Sequence, residues 1–208
     1  MGDIIQVMKD NYRSDESKII EAINSGRYDL GKVDSNGYTA LIYACYGDMP
    51  DVAMALIQTG QSRPELASKN GFTALMYACV NSMPDVAMAL IQTGQSNPGQ
   101  VDHINGNTAL ILACYYYLPE VAIALIQTGQ SRPEQIDADG NTALDIAKRK
   151  NQKEVVRLLE TLDIQPMGTT QVGGKKKYRK TKKIYRNRKT RKTDRRKRQR
   201  NKYTRNKK

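Results

Sequence analysis

The chain has 208 residues, 39% of them apolar, with three cysteines, one histidine and a formal net charge of +13. Residues 175–208 hold 21 of the 34 Lys and Arg against one acid, Asp194, whereas residues 1–174 hold 13 bases and 20 acids, net −7. This excludes a uniformly basic globular protein and predicts an acidic body carrying a basic arm.

The opening MGDIIQVMKD has no charged leader or long apolar run, so it does not read as a secretory signal. No stretch approaches the ~20 apolar residues of a membrane span. Met1-Gly2 fits a myristoylation site, except that Gln6 stands where Ser or Thr is expected, and the C-terminus lacks a prenylation Cys. The expectation is an intracellular, soluble monomer of cytoplasm and/or nucleus. Residues 15–25 read as a helix with Ile19, Ile20 and Ile23 on one face and Gly26 as its stop. With a shorter apolar segment at Ile4 to Met8, residues 1–32 are expected to form a capping half-repeat.

The stretch MPDVAMALIQTGQS at residues 49–62 recurs unchanged at 83–96 and as LPEVAIALIQTGQS at 118–131. A second series, Gly37, Gly71, Gly106 and Gly140, steps by 34, 35 and 34 residues. A fixed period of this size marks a repeat architecture, and the boundaries predicted are 33–66, 67–100, 101–135 and 136–162. The first three units open with Asn-Gly (Asn36-Gly37, Asn70-Gly71, Asn105-Gly106), where Gly supplies the positive φ of a tight turn. Thr39, Thr73, Thr108 and Thr142 then sit as N-caps of a short inner helix carrying Ala and Leu at helical spacing. A second helix starts at Pro50, Pro84 and Pro119, suited to a first turn, followed by Asp51, Asp85 and Glu120, which the helix dipole favours. Val52, Leu56 and Ile57 make its apolar face and Gly60 its stop. The one-residue insertion of the third unit falls between Gly94 and Gly106. The fourth unit has neither the proline nor the terminal glycine, and Lys148 stands in place of cysteine, as suits a polar C-terminal cap.

Cys45, Cys79 and Cys114 hold one position in successive units. Neighbouring helices pack ~8–10 Å apart, beyond the roughly 7 Å reach of a disulfide, so the thiols read as small buried packing residues. With His103 the single histidine and no CxxC, a zinc site is not expected.

Turn, Thr-x-Leu helix, second helix and Gly at this period resemble the ankyrin repeat, over residues 15–162. The resemblance implies an all-α ankyrin-repeat solenoid of helix-turn-helix units with turn or β-hairpin fingers, and a concave surface that holds protein partners. One departure stands out. Ala40, Ala74, Ala109 and Ala143 replace the Pro of the family's Thr-Pro-Leu-His, and Ile42, Met76, Ile111 and Asp145 replace its His. The role of that His in linking repeats therefore does not carry over.

Residues 163–174 (DIQPMGTTQVGG) lose the periodicity and read as a flexible linker. Residues 175–208 have almost no aliphatic side chains and are expected to be disordered alone. Near-identical repeats, a Gly-Gly hinge and a Lys/Arg/Thr/Asn/Tyr tail also resemble ankyrin proteins of giant DNA viruses.

No catalytic constellation is legible. Asp34, Asp102, Asp137 and Asp139 fall in turns and read as turn formers rather than paired acid/base groups, and His103 as a solvated loop residue. The chain is read as a non-catalytic interaction protein without metal or cofactor. Tyr43, Tyr46, Tyr77, Tyr115 and Tyr116 fall on the inner helices at positions the family leaves variable, and the resemblance points them at the concave surface. Tyr offers a large rigid contact with a polar tip; the alternative is packing between repeats, the reading preferred for Tyr38 and Phe72. In the tail, Lys175, Lys176, Lys177, Arg179 and Lys180, and Arg195, Arg196, Lys197 and Arg198, form runs that resemble nuclear-localisation signals or bind nucleic-acid phosphates. An anionic membrane surface, or no specific role, are the alternatives for the tail. The functional expectation is a scaffold gripping a protein partner while the tail sets location; the alternative is a nucleic-acid-associated protein whose tail is the main binder.

Overall fold

In the computed structural model, which describes residues 2–11 and 15–164, the chain runs as helix pairs. In order these are α1 (Ile4–Asp10), α2 (Glu16–Asn24), α3 (Ala40–Tyr46), α4 (Pro50–Gln58), α5 (Ala74–Val80), α6 (Pro84–Gln92), α7 (Ala109–Tyr115), α8 (Pro119–Gln127), α9 (Ala143–Arg149) and α10 (Lys153–Ile164). Helices α1, α3, α5, α7 and α9 stack as an inner row, and α2, α4, α6, α8 and α10 as an outer row. The tail, and the expected linker past residue 164, lie outside the described residues.

Local chemistry sets the element ends. Each repeat's inner helix is capped by its threonine: Thr39 Oγ1 accepts from Ile42 N at 3.1 Å, Thr73 from Met76 N at 3.2 Å and Thr108 from Ile111 N at 3.3 Å. In the fourth unit Thr142 and Asp145 form a reciprocal capping box. Inner helices α3, α5, α7 and α9 end in a left-handed residue that is not glycine: Asp48, Ser82, Tyr117 and Asn151, at φ 57°, 53°, 61° and 55°. The next N–H closes back on the helix, as Met49 N to Ala44 O at 3.0 Å and Leu118 N to Ala113 O at 2.9 Å, satisfying carbonyls otherwise left bare. Outer helices α4, α6 and α8 have no side-chain cap. Their N-cap residues Met49, Met83 and Leu118 are buried instead, with Pro at N1.

Small residues make the stack possible. Ala40, Ala44, Ala74, Ala78, Ala109 and Ala113 are buried with Cys45, Cys79 and Cys114 along the inner row. Burial raises all three thiols, Cys79 and Cys114 to about 12, so they stay neutral packing groups. Val52, Ala53 and Leu56 of α4 are fully buried, whereas Ile57 is only partly so.

The fingers between helix pairs are tight turns, with one isolated antiparallel bridge, Ala67 to Thr73, among the described residues. Asp34 N to Tyr38 O (2.9 Å), Ser68 N to Phe72 O (2.8 Å) and Asp137 N to Asn141 O (2.9 Å) close three of them. The third finger spans one residue more, with Asp102 N bonded to Asn107 O at 2.9 Å, so the insertion sits at its tip. Asp102, buried, organises that longer tip by accepting from Ile104, Asn105 and Asn107 N. Successive fingers are joined by Lys69 N to Asn36 O and His103 N to Asn70 O, both 2.9 Å, and by Ala138 N to Asn105 O at 2.6 Å.

In the N-terminal segment, read as a capping half-repeat, α1 pairs with α2, and Ile4, Ile5 and Met8 give α1 a buried stripe of its own. Helix α10 continues to Ile164, past the boundary read at Leu162, since no glycine stops it.

Candidate aromatic groove on the inner face

The aromatic side chains of the first two repeats form one connected cluster. Tyr38 lies 5.0 Å from Tyr43, 6.0 Å from Tyr46 and 6.2 Å from Tyr77, centroid to centroid. Tyr46 meets Tyr77 edge-on at 5.3 Å, and Phe72 stacks on Tyr77 at 5.0 Å. The hydroxyls of Tyr38 and Tyr77 are 2.9 Å apart, and Tyr43 Oη donates to Asp34 Oδ2 at 2.9 Å. Burial, then the hydrogen bond with Tyr38, raises the Tyr77 hydroxyl well above its ordinary pKa. Tyr43 is raised as well, by burial and then by its bond to Asp34. Asp34 is itself pushed up by burial, but the N–H groups of Tyr38 and Asn36, the Tyr43 hydroxyl and Lys9 outweigh that and hold it below the usual carboxylate range.

Tyr115 and Tyr116 are not part of this cluster. They form a separate edge-on pair at 5.2 Å, and the Lys150 ammonium lies 5.3 Å from the Tyr115 centroid. Between the two sets runs a groove of about 460 Å³, within the ~300–1,000 Å³ of ligand pockets. Phe72, Tyr77 and Val80 line it from the second repeat, Asn105, Asn107, Ile111, Leu112, Tyr115 and Tyr116 from the third, and Asp137 and Asp139 from the fourth finger.

The groove comes from a change in register-equivalent residues. The residue after each turn glycine is Tyr38, Phe72, Asn107 and then Asn141; the fourth residue of each inner helix is Tyr43, Tyr77, Leu112 and then Ile146. Rings fill both positions in the first two repeats. In the third both are smaller, and the aromatic fill stops. Among the sequence-predicted residues, Tyr43 and Tyr77 are partly buried against the core, while Tyr46, Tyr115 and Tyr116 are 56%, 52% and 37% exposed. Tyr38 and Phe72, read as packing, do pack, but Phe72 also walls the groove. Sequence reasoning missed Tyr117, 58% exposed at positive φ, a conformation a bulky side chain rarely adopts. It missed the amide links too. Asn81 Nδ2 donates to Cys45 O at 2.7 Å and Tyr46 O at 3.1 Å, and Gln152 Nε2 to Cys114 O at 2.7 Å. These bonds join successive repeats. The nine basic residues singled out between Lys175 and Arg198 lie outside the described residues.

His103 is exposed, with Nδ1 3.3 Å from Lys69 O. Among the described residues no group of three or more His, Cys, Asp or Glu is placed to hold a metal ion, and no helix is long and apolar enough to cross a membrane.

A family model described as ankyrin repeats (3 copies) matches residues 11–98 and 89–167. No curated protein matches the chain.

Proposed function

The chain belongs to the ankyrin-repeat family, and we propose that it is a non-catalytic scaffold that grips a protein partner on the tyrosine-rich inner face. Ankyrin repeats imply protein partners, and members of the family are typically binding modules without catalytic activity. The observation that carries the proposal is the groove. It is open to the surface, walled by rings of two different repeats, and made by residues that vary between otherwise near-identical units. Truncating a tyrosine hot spot typically costs ~2 kcal/mol or more of binding. Tyr43→Ala with Tyr77→Ala should therefore weaken capture of a protein partner while the helical circular dichroism signal persists. Unchanged capture by the folded double variant would assign both rings to packing alone.

The tail carries the second part of the proposal: nuclear targeting or nucleic-acid association through Lys175, Lys176, Lys177, Arg179, Lys180, Arg195, Arg196, Lys197 and Arg198. A net charge of +20 over residues 175–208 supports it, and the resemblance to ankyrin proteins of giant DNA viruses is consistent with work in the cytoplasm or nucleus of a host cell. If six or more phosphates are engaged, affinity of the full chain for nucleic acid should fall by orders of magnitude between ~50 and ~200 mM salt. Gln in place of Lys175, Lys176, Lys177, Arg195, Arg196, Lys197 and Arg198 should flatten that slope and redistribute the protein in cells. An unaltered slope and distribution would remove the tail from the proposal.

A further inference from the structure

We propose that the groove seats a cationic side chain, arginine before lysine, on an extended basic segment of the partner. This rests on the reading of the inner face as a partner-binding surface and adds the chemistry of what binds there.

The walls have the right character. The Phe72–Tyr77 stack stands on one side and the Tyr115–Tyr116 pair on another, and the face of each ring carries negative quadrupolar potential. Ile111 and Leu112 add apolar lining to the groove. Asp137 and Asp139 are the charged side chains among its described lining residues, and Lys150 lies outside that lining, beside Tyr115. The Asp137 carboxylate is held in place by Asn141, which donates from N at 2.7 Å and from Nδ2 at 3.0 Å. The two carboxylates complement a basic partner at this spot.

The molecule already contains the same recognition in miniature. At the first repeat, Lys9 of α1 lies 5.2 Å from the Tyr43 centroid and 3.8 Å from Asp34 Oδ2. Tyr43 is the fourth residue of its inner helix, as Tyr77 is of the next; Asp34 opens its finger, as Asp137 opens the fourth. An inner-helix tyrosine and a finger carboxylate therefore hold an ammonium group at the start of the stack. The same residue types face the groove, with no Lys or Arg among its described lining residues. Lys150 beside Tyr115 is a second case of a ring on this face taking up a cation. Arginine fits better than lysine because its guanidinium is planar, stacks on rings, pairs with carboxylates through two parallel bonds, and is more weakly hydrated than ammonium.

The test uses the full-length chain with Gln at Lys175, Lys176, Lys177, Arg195, Arg196, Lys197 and Arg198, which thins the chain's own competing cations. The probes are three Gly/Ser peptides with one central Arg, Lys or citrulline, the last a neutral isostere of arginine. Binding is read from the ring resonances of Tyr77, Tyr115 and Tyr116. The expected result is saturable shifts with the Arg peptide, weaker ones with Lys, and binding about tenfold weaker or more with citrulline. Asp139→Asn, at an exposed finger position, should reduce the preference for Arg over citrulline. Leu112→Tyr, which restores the ring that the second repeat carries, should fill the groove and abolish the shifts. Asp85→Asn on α6 should leave them unchanged. Equal binding of Arg and citrulline, or an unaltered preference in Asp139→Asn, overturns the proposal. If Leu112→Tyr still blocks binding in that case, the inner face remains a docking surface for another chemistry. If Leu112→Tyr has no effect either, the docking reading falls with it.

Discussion

Cys79→Arg should leave no folded repeat stack at room temperature, whereas Cys79→Ala should fold with a loss of about 1 kcal/mol. Cys79 is fully buried in the middle inner helix, and α5 packs on both α3 and α7. A guanidinium there would be desolvated within the hydrophobic core. An unpaired buried charge costs several kcal/mol, against a total stability of about 5–15 kcal/mol for an ordinary domain. Urea denaturation followed by circular dichroism separates the two variants. If the Arg variant showed the parent's midpoint, the inner-row register would be wrong.

The second large effect concerns the fingers. Gly71→Ala should destabilise by about 3 kcal/mol, and Gly60→Ala by about 1 kcal/mol. Both glycines have positive φ, 82° and 67°, so both substitutions carry the left-handed penalty. The difference lies in what the new methyl meets. At Gly71 it would stand 2.8 Å from Val101 O and 3.1 Å from Asp102 Cα, backbone of the next finger; at Gly60 nothing lies within 4 Å. The next finger cannot retreat without stretching the His103 N to Asn70 O bond. Equal losses in the two variants would mean that the fingers are not stitched together as described.

Much of this was legible in the sequence because each repeat states its own punctuation. Thr caps, Pro at N1 and Gly after the outer helix are local signals, and helices α3 to α9, which carry them, formed where they predict. Contacts between repeats were harder to read. Asn81 and Gln152 bind carbonyls of the preceding unit, yet neither recurs at a fixed position, so no period marks them. The left-handed turns at Asp48, Ser82, Tyr117 and Asn151 carry no glycine, and backbone closure rather than residue type holds them. The candidate groove is defined by what is missing. Asn107 and Leu112 are unremarkable alone and become informative only once Tyr77, Tyr116 and Asp137 are known to surround them.

The outer helices have a consequence for how the chain assembles. Helices α4 and α6 have the same sequence, PDVAMALIQ, and α8 differs from them at two of nine positions. A nascent outer helix therefore cannot distinguish its own inner neighbour from one a whole unit away, and slipped or exchanged pairings are the characteristic hazard of repeat chains. What tells the units apart lies on the other side of the stack: the Phe72–Tyr77 contact, the reach of Asn81 to Cys45 and Tyr46, and the longer third finger built on Asp102. Fidelity of assembly is thus encoded on the inner face, beside the residues proposed to meet a partner. Mutations that reshape that face for a new partner also erode the signals by which each repeat finds its proper neighbour.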